Sequence, residues 1–194
     1  GIVIRVEVDL ARGLPAFDIV GLPDTAVRES RERVKSAIKN SGYEFPIKRI
    51  TINLAPADIK KIGPHFDLAI ASGILAAENF LNSEKLEDYL IIGELSLNGE
   101  VRKVKGVLPM VMAAAKSDLS GIVVPAANYA EASLVEDIDI IPVSHISELV
   151  SFLKKDKILS IKQRERANGL ENQKMEHNSS EYDFSDIKGQ YEAK

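Results

Sequence analysis

The chain has 194 residues, with 25 lysines and arginines against 29 aspartates and glutamates, and no cysteine. That length holds one good-sized domain plus an appendage. The lack of cysteine excludes a disulfide framework or a thiolate metal site, and no stretch approaches the ~20 apolar residues needed to cross a bilayer. The mild acidity argues against polyanion binding over the whole surface but leaves a local basic face open.

Ile2, Ile4, Val6 and Val8 alternate with Val3, Arg5, Glu7 and Asp9, which predicts a strand. No basic or apolar leader is visible, so the expected compartment is the cytoplasm, and the missing initiator methionine suggests a piece trimmed from a longer protein. Gly13-Leu14-Pro15 reads as a turn, and Ala16–Gly21 as a second strand in a hairpin with the first. Asp24 is a good N-cap for a helix that shows Val27, Ser30, Val34, Ala37, Ile38 and Ser41 at helical spacing and stops at Gly42. Ile47–Leu54 alternates as a strand and ends at Ala55-Pro56-Ala57-Asp58. Leu68–Asn79 is nearly all apolar or small, as a buried helix would be. A strand follows at Tyr89–Leu97, then an Asn98-Gly99 turn and a return strand to Val104. Helices at Val107–Lys116, Ala126–Leu134 and His145–Leu153 alternate with strands at Gly121–Pro125 and Ile138–Val143. Hairpins first and alternation later predict an α+β or mixed α/β domain over residues 1–155. Residues 156–180 read as a polar linker, partly disordered. Apolar residues return at Tyr182, Phe184 and Ile187, as if a further module opened at 181–194. No internal repeat is present.

Few positions suggest chemistry. His65, in Gly63-Pro64-His65-Phe66-Asp67, stands just before a helix, where free N–H groups and the dipole favour its neutral form. It is read as a loop residue or as one functional contact, and His145 and His177 are remote from it in sequence. Glu94 and Asn98-Gly99 read as structural. Arg28, Arg31, Lys35 and Lys39 share one helical face, with Arg33 on a neighbouring stripe and Glu29 and Glu32 diluting the charge. Lys48, Arg49, Lys60 and Lys61 add to the positive charge of this half. The face is either a solvated, salt-bridged surface or a phosphate-binding one, for which Arg28, Arg31, Lys35, Lys60 and Lys61 are the candidates. No aromatic residues interleave with these positions to support base stacking. No GxxxxGK[ST] or GxGxxG occurs, so no phosphate cradle is present.

Two stretches together resemble the frame of a Lon-type Ser-Lys protease domain: Gly63-Pro64-His65-Phe66-Asp67-Leu68 and Gly93-Glu94-Leu95-Ser96-Leu97-Asn98-Gly99-Glu100-Val101. In that frame the serine position is His65 and the lysine position is Leu108, so both dyad residues are replaced and peptidase activity is not implied. Longer strings carry a closer likeness. They are Gly13-Leu14-Pro15-Ala16-Phe17-Asp18-Ile19-Val20-Gly21-Leu22-Pro23-Asp24, Val27-Arg28-Glu29-Ser30-Arg31-Glu32-Arg33-Val34, Ile50-Thr51-Ile52-Asn53-Leu54-Ala55-Pro56-Ala57-Asp58 and Gly93–Leu97. By these the chain resembles the N-terminal domain of the magnesium-chelatase-like AAA+ proteins of the ComM/YifB type.

The resemblance implies a ribosomal-protein-S5 domain-2-like fold shared with the Lon protease domain. It implies a full protein that is a ring-forming, hexameric ATPase using ATP and Mg2+, with no cofactor in this part of it. Its partners would be further copies of itself and single-stranded or branched DNA, and its work a helicase activity that drives branch migration. Asp183–Gln190 resembles the opening of the AAA+ module, which would place Ile187, Gly189 and Gln190 near the adenine of bound nucleotide. The alternatives are an assembly or partner-docking domain without DNA contact and, more remotely, a degenerate peptidase.

Overall fold

The computed structural model describes residues 2–154. The linker at 156–180, the segment 181–194 and the nucleotide-proximal candidates Ile187, Gly189 and Gln190 lie outside the described residues.

The architecture is a mixed α+β one. Strand β1 (Arg5–Ala11) is followed by β2 (Ala16–Val20), helix α1 (Thr25–Asn40) and β3 (Arg49–Ala55). The expected hairpin between the first two strands does not form. Instead β3 lies between them, antiparallel to β1 through Leu10↔Ile50 and Val8↔Ile52, and parallel to β2 through Phe17↔Ile50 and Ile19↔Ile52. Ile50, Ile52 and Leu54 make β3 the most deeply buried of the three, and the central place pairs both its edges. Residues 12–15 then cross two strand spacings, about 9.6 Å, which four extended residues reach easily. The inner face of this sheet packs on Val27, Val34, Ala37 and Ile38 of α1 and on α2 (Asp67–Ala77), whose Ile70 and Ile74 are fully buried. The expected cap of α1 is present: the Asp24 carboxylate accepts from Val27 N–H at 2.8 Å.

A short helix α3 (Ser83–Glu87) leads to β4 (Tyr89–Ile91). The strand expected over 89–97 breaks at Ile92-Gly93 and resumes as β5 (Glu94–Leu95), which pairs with β6 (Val101–Arg102) across the Asn98-Gly99 turn. The break has a cause: Gly93 N–H donates to the His65 carbonyl and the Gly93 carbonyl accepts from Leu68 N–H, both at 3.0 Å, so this residue serves the start of α2 rather than a ladder. Beyond it come α4 (Val107–Ala114), β7 (Gly121–Pro125), a 3₁₀ turn into α5 (Tyr129–Ala132), β8 (Asp139–Val143) and α6 (Ile146–Lys154). β4, β7 and β8 form a parallel sheet with β7 central. Every residue of β7 is buried, as a strand covered on both faces must be. Ile122, Val124 and Ile140 face Val107, Val111 and Ala132, while Val123, Ile141 and Val143 join the larger core with Ile146 and Leu149 of α6.

Candidate functional site

The protease-like frame is assembled in space. Gly63 opens a 3₁₀ turn, Pro64–Phe66, that runs directly into α2. Asp24 holds the turn from outside, its second carboxylate oxygen accepting from Gly63 N–H at 3.1 Å. Gly93 holds it from inside through the two backbone bonds already described. His65 is half-buried, its ring stacked at a tilt on Phe66 with centroids 4.2 Å apart, and makes no side-chain hydrogen bond among the described residues. Burial holds its pKa below the ordinary value, with the nearby Asp24 charge opposing, so the neutral imidazole is favoured.

His65 lines a cavity of about 610 Å³. Its other walls include Phe66, Ala69 and Gly73, the chain at Ile2–Val6, Glu87, β4, and Gly106, Pro109 and Met110 at the start of α4. The free edges of β1 and β4 both border it. Leu108 is not among the lining residues; its backbone N–H donates to the Glu131 carboxylate at 3.3 Å. No serine, threonine, cysteine or lysine among the described residues lines the cavity, so a hydroxyl–amine dyad has no side chains there.

Behind the frame is a group that sequence reasoning missed. Asp67, fully buried, accepts from Arg33 Nε at 2.6 Å and Nη2 at 3.1 Å, and from Leu95 N–H at 3.2 Å. Burial pushes the Asp67 carboxyl upward, and the guanidinium and the β5 amide pull the other way. The same contact favours the charged form of Arg33. Arg33 therefore turns inward, away from the basic stripe of α1. The available signal was an acidic residue in the first turn of an apolar helix, which reads as a dipole partner and here is also an anchor. His145 is likewise structural: Nε2 meets the Asn98 carbonyl at 2.9 Å and Nδ1 meets Ser147 Oγ at 2.7 Å, which docks the β5–β6 turn on the start of α6.

Of the basic candidates, Arg28, Arg31, Lys35 and Lys60 are exposed. Lys61 is not part of that surface. It is 1% exposed and its ammonium donates to the Pro56 carbonyl, while its backbone pairs with Leu22 and Asp24. Two adjoining depressions share Arg31. One, of about 470 Å³, is bordered by Asp18, Arg28, Arg49 and Thr51. The other, of about 420 Å³, is bordered by Phe17, Lys35, Lys39, Phe45, Ile47 and Lys48. Lys60 lines neither. Arg31 donates to the Phe17 carbonyl at 3.2 Å and the Arg28 carbonyl at 3.1 Å, Arg49 pairs with Asp18 at 3.4 Å, and Lys48 with Glu78 at 2.6 Å. Arg28, Lys35 and Lys39 form no ion pair among the described residues. Among those residues, no three His, Cys, Asp or Glu side chains gather as a metal site, and no helix is long and apolar enough to cross a membrane.

Comparison with known proteins matches this sequence to a family. The sequence profile described as "Subunit ChlI of Mg-chelatase" covers residues 6–128. The chain is 40% identical over 191 residues to YifB of Escherichia coli, covering 98% of this chain and 36% of that protein. It is 42% identical over 158 residues to the competence protein ComM of Haemophilus influenzae, covering 81% of this chain and 31% of that protein. A more distant likeness, 26% over 168 residues, is to the Lon protease of Leptospira interrogans, covering 82% of this chain and 20% of that enzyme, and agrees with the Lon-like frame. The chain thus spans about a third of the length of YifB and ComM. With most of the described region inside the matched profile, the chain belongs to the family of subunit ChlI of magnesium chelatase, with YifB and ComM among its relatives.

Proposed function

We propose that this chain is a non-catalytic accessory domain of a magnesium-chelatase-like AAA+ ATPase that remodels DNA, promoting branch migration in recombination or natural transformation. The observation that carries the reading is the exposed stripe of Arg28, Arg31 and Lys35 on α1, which Lys39 and Arg49 extend and which acidic partners only partly neutralise. Such a stripe recognises phosphates by charge, without reading sequence. The likeness to a competence protein, ComM of Haemophilus influenzae, supports a role in handling DNA. In this reading the working particle is a hexameric ring in the cytoplasm. ATP and Mg2+ are held by the module that Ile187, Gly189 and Gln190 introduce, because no phosphate loop occurs in this chain.

The test is fluorescence anisotropy with single-stranded and forked DNA over a salt titration. Affinity should fall steeply with salt. Charge reversal at Arg28, Arg31 and Lys35 should weaken binding and flatten the slope by roughly 0.7 to 0.9 for each phosphate no longer neutralised. Equal affinity before and after reversal would leave the stripe as solvated surface. A second reading, an assembly or partner-docking domain without DNA contact, draws on the apolar cavity between β1 and β4. It predicts no binding in the same titration, even at low salt.

A further inference from the structure

The depression bordered by Phe17 and Phe45 adds a feature that the linear spacing hides. Phe17 comes from β2 and Phe45 from the segment between α1 and β3, and their rings meet at 6.0 Å with a 38° tilt. Both are half-buried, with part of each ring packed on the core and part open to the depression. Ile47 beside them is 85% exposed. Around this apolar floor stand Arg31, Lys35 and Lys39, all exposed, and Lys48, which pairs with Glu78; among the described residues that line it, Glu32 is the acidic one. An aromatic floor inside a cationic rim fits a planar, weakly polar ring on an anionic chain.

We infer that this depression is a subsite for single-stranded nucleic acid, in which an unpaired base packs on Phe45 and Phe17 while flanking phosphates meet Lys35, Lys39 and Arg31. The inference rests on the DNA-handling reading above and narrows it. A duplex keeps its bases stacked inward and offers this concavity only phosphates, whereas a single strand offers both groups at once. Stacking is tolerant of sequence because every base has a π face, so the site selects for strandedness and not for a motif. Among the described residues the adjoining depression has no aromatic lining; it offers Arg28 and Arg31 to phosphates along the same track, while Arg49 is paired with Asp18.

The experiment compares labelled oligothymidylate, an abasic strand of the same length and charge, and a duplex, each titrated with the whole chain at several salt concentrations. Oligothymidylate should bind about tenfold more tightly than the abasic strand, in line with one stacked base. Phe45→Leu keeps the apolar packing but removes its π face. It should reduce that difference severalfold, with Phe17 alone left as a π face, and leave the salt slope unchanged. Ile47→Ser, at an exposed position, should reduce the difference without touching the fold. Lys35→Gln with Lys39→Gln should do the reverse, lowering the slope for both strands. Equal binding of the thymidine and abasic strands, with no effect of Phe45→Leu, overturns the base subsite while leaving the phosphate surface standing. No binding of any strand at low salt overturns both.

Discussion

Arg33 of α1 and Asp67 at the first turn of α2 are joined by two parallel hydrogen bonds, 2.6 and 3.1 Å long, with the carboxylate sealed from solvent. Because Asp67 also accepts from Leu95, one side chain ties α1, α2 and the β5–β6 hairpin together. Removing one partner of such a pair leaves a buried charge without its counter-ion. Arg33→Met should cost about 3–5 kcal/mol in urea unfolding. The double variant Arg33→Met/Asp67→Leu should recover part of that stability, since an apolar pair of similar volume removes the stranded charge.

His65 makes stability depend on pH. Its folded pKa lies below the ordinary value because burial penalises the cation. Between the unfolded pKa, about 6.5, and the lower folded one, the unfolded chain binds more protons than the native protein. Stability is therefore full above that range and is lost as pH falls through it, at no more than about 1.4 kcal/mol per pH unit. His65→Phe should flatten this part of the curve in urea titrations at a series of pH values. An unchanged slope would show that His65 titrates alike in both states.

Lys61 and Lys35 separate stability from binding. Lys61 is enclosed and holds the Pro56 carbonyl, whereas Lys35 is exposed and unpaired among the described residues. Lys61→Ala should destabilise by the roughly 1.5–3 kcal/mol that a hydrogen bond from a charged group contributes, read as a lower melting temperature, without changing the salt slope of DNA binding. Lys35→Ala should lower the slope and leave the melting temperature within error.

Gly93 has no room for a side chain. A Cβ there would stand 2.8 Å from Val101 Cγ1 and within 3.3 Å of Leu68. Gly93→Ala should destabilise by about 1–3 kcal/mol through overpacking, read as a fall in thermal midpoint. It should also loosen the start of α2, which amide exchange at Leu68 would report.

Local rules carried much of the fold. The Asp24 cap, the Asn98-Gly99 turn and the wholly apolar β7 follow from chemistry confined to neighbouring residues, and all three are found. What could not be read depends on contacts distant in sequence. The order β1-β3-β2 is set by pairing between strands distant in sequence, and a short loop after β1 is compatible with pairing or with leaving a slot. Arg33 sits at the border of the buried stripe of α1, and only the position of Asp67, 34 residues away, decides which way it turns. Lys61 looked like surface because lysine usually is. The aromatic floor escaped notice because Phe17 and Phe45 come from separate elements and meet only when the chain closes.

The Gly63–Phe66 turn bears on how such sequences are interpreted. Besides the Phe66 ring that packs on the core, what it contributes to the fold is backbone: the His65 carbonyl that receives Gly93, the Gly63 amide that reaches Asp24, and the direct entry into α2. None of these depends on the side chain at position 65. The scaffold and the reagent are separable, because the hydrogen bonds that build the frame are made by groups other than the side chain at position 65. Finding the frame in a sequence therefore identifies an architecture, and the chemistry must be judged from the residue the frame displays.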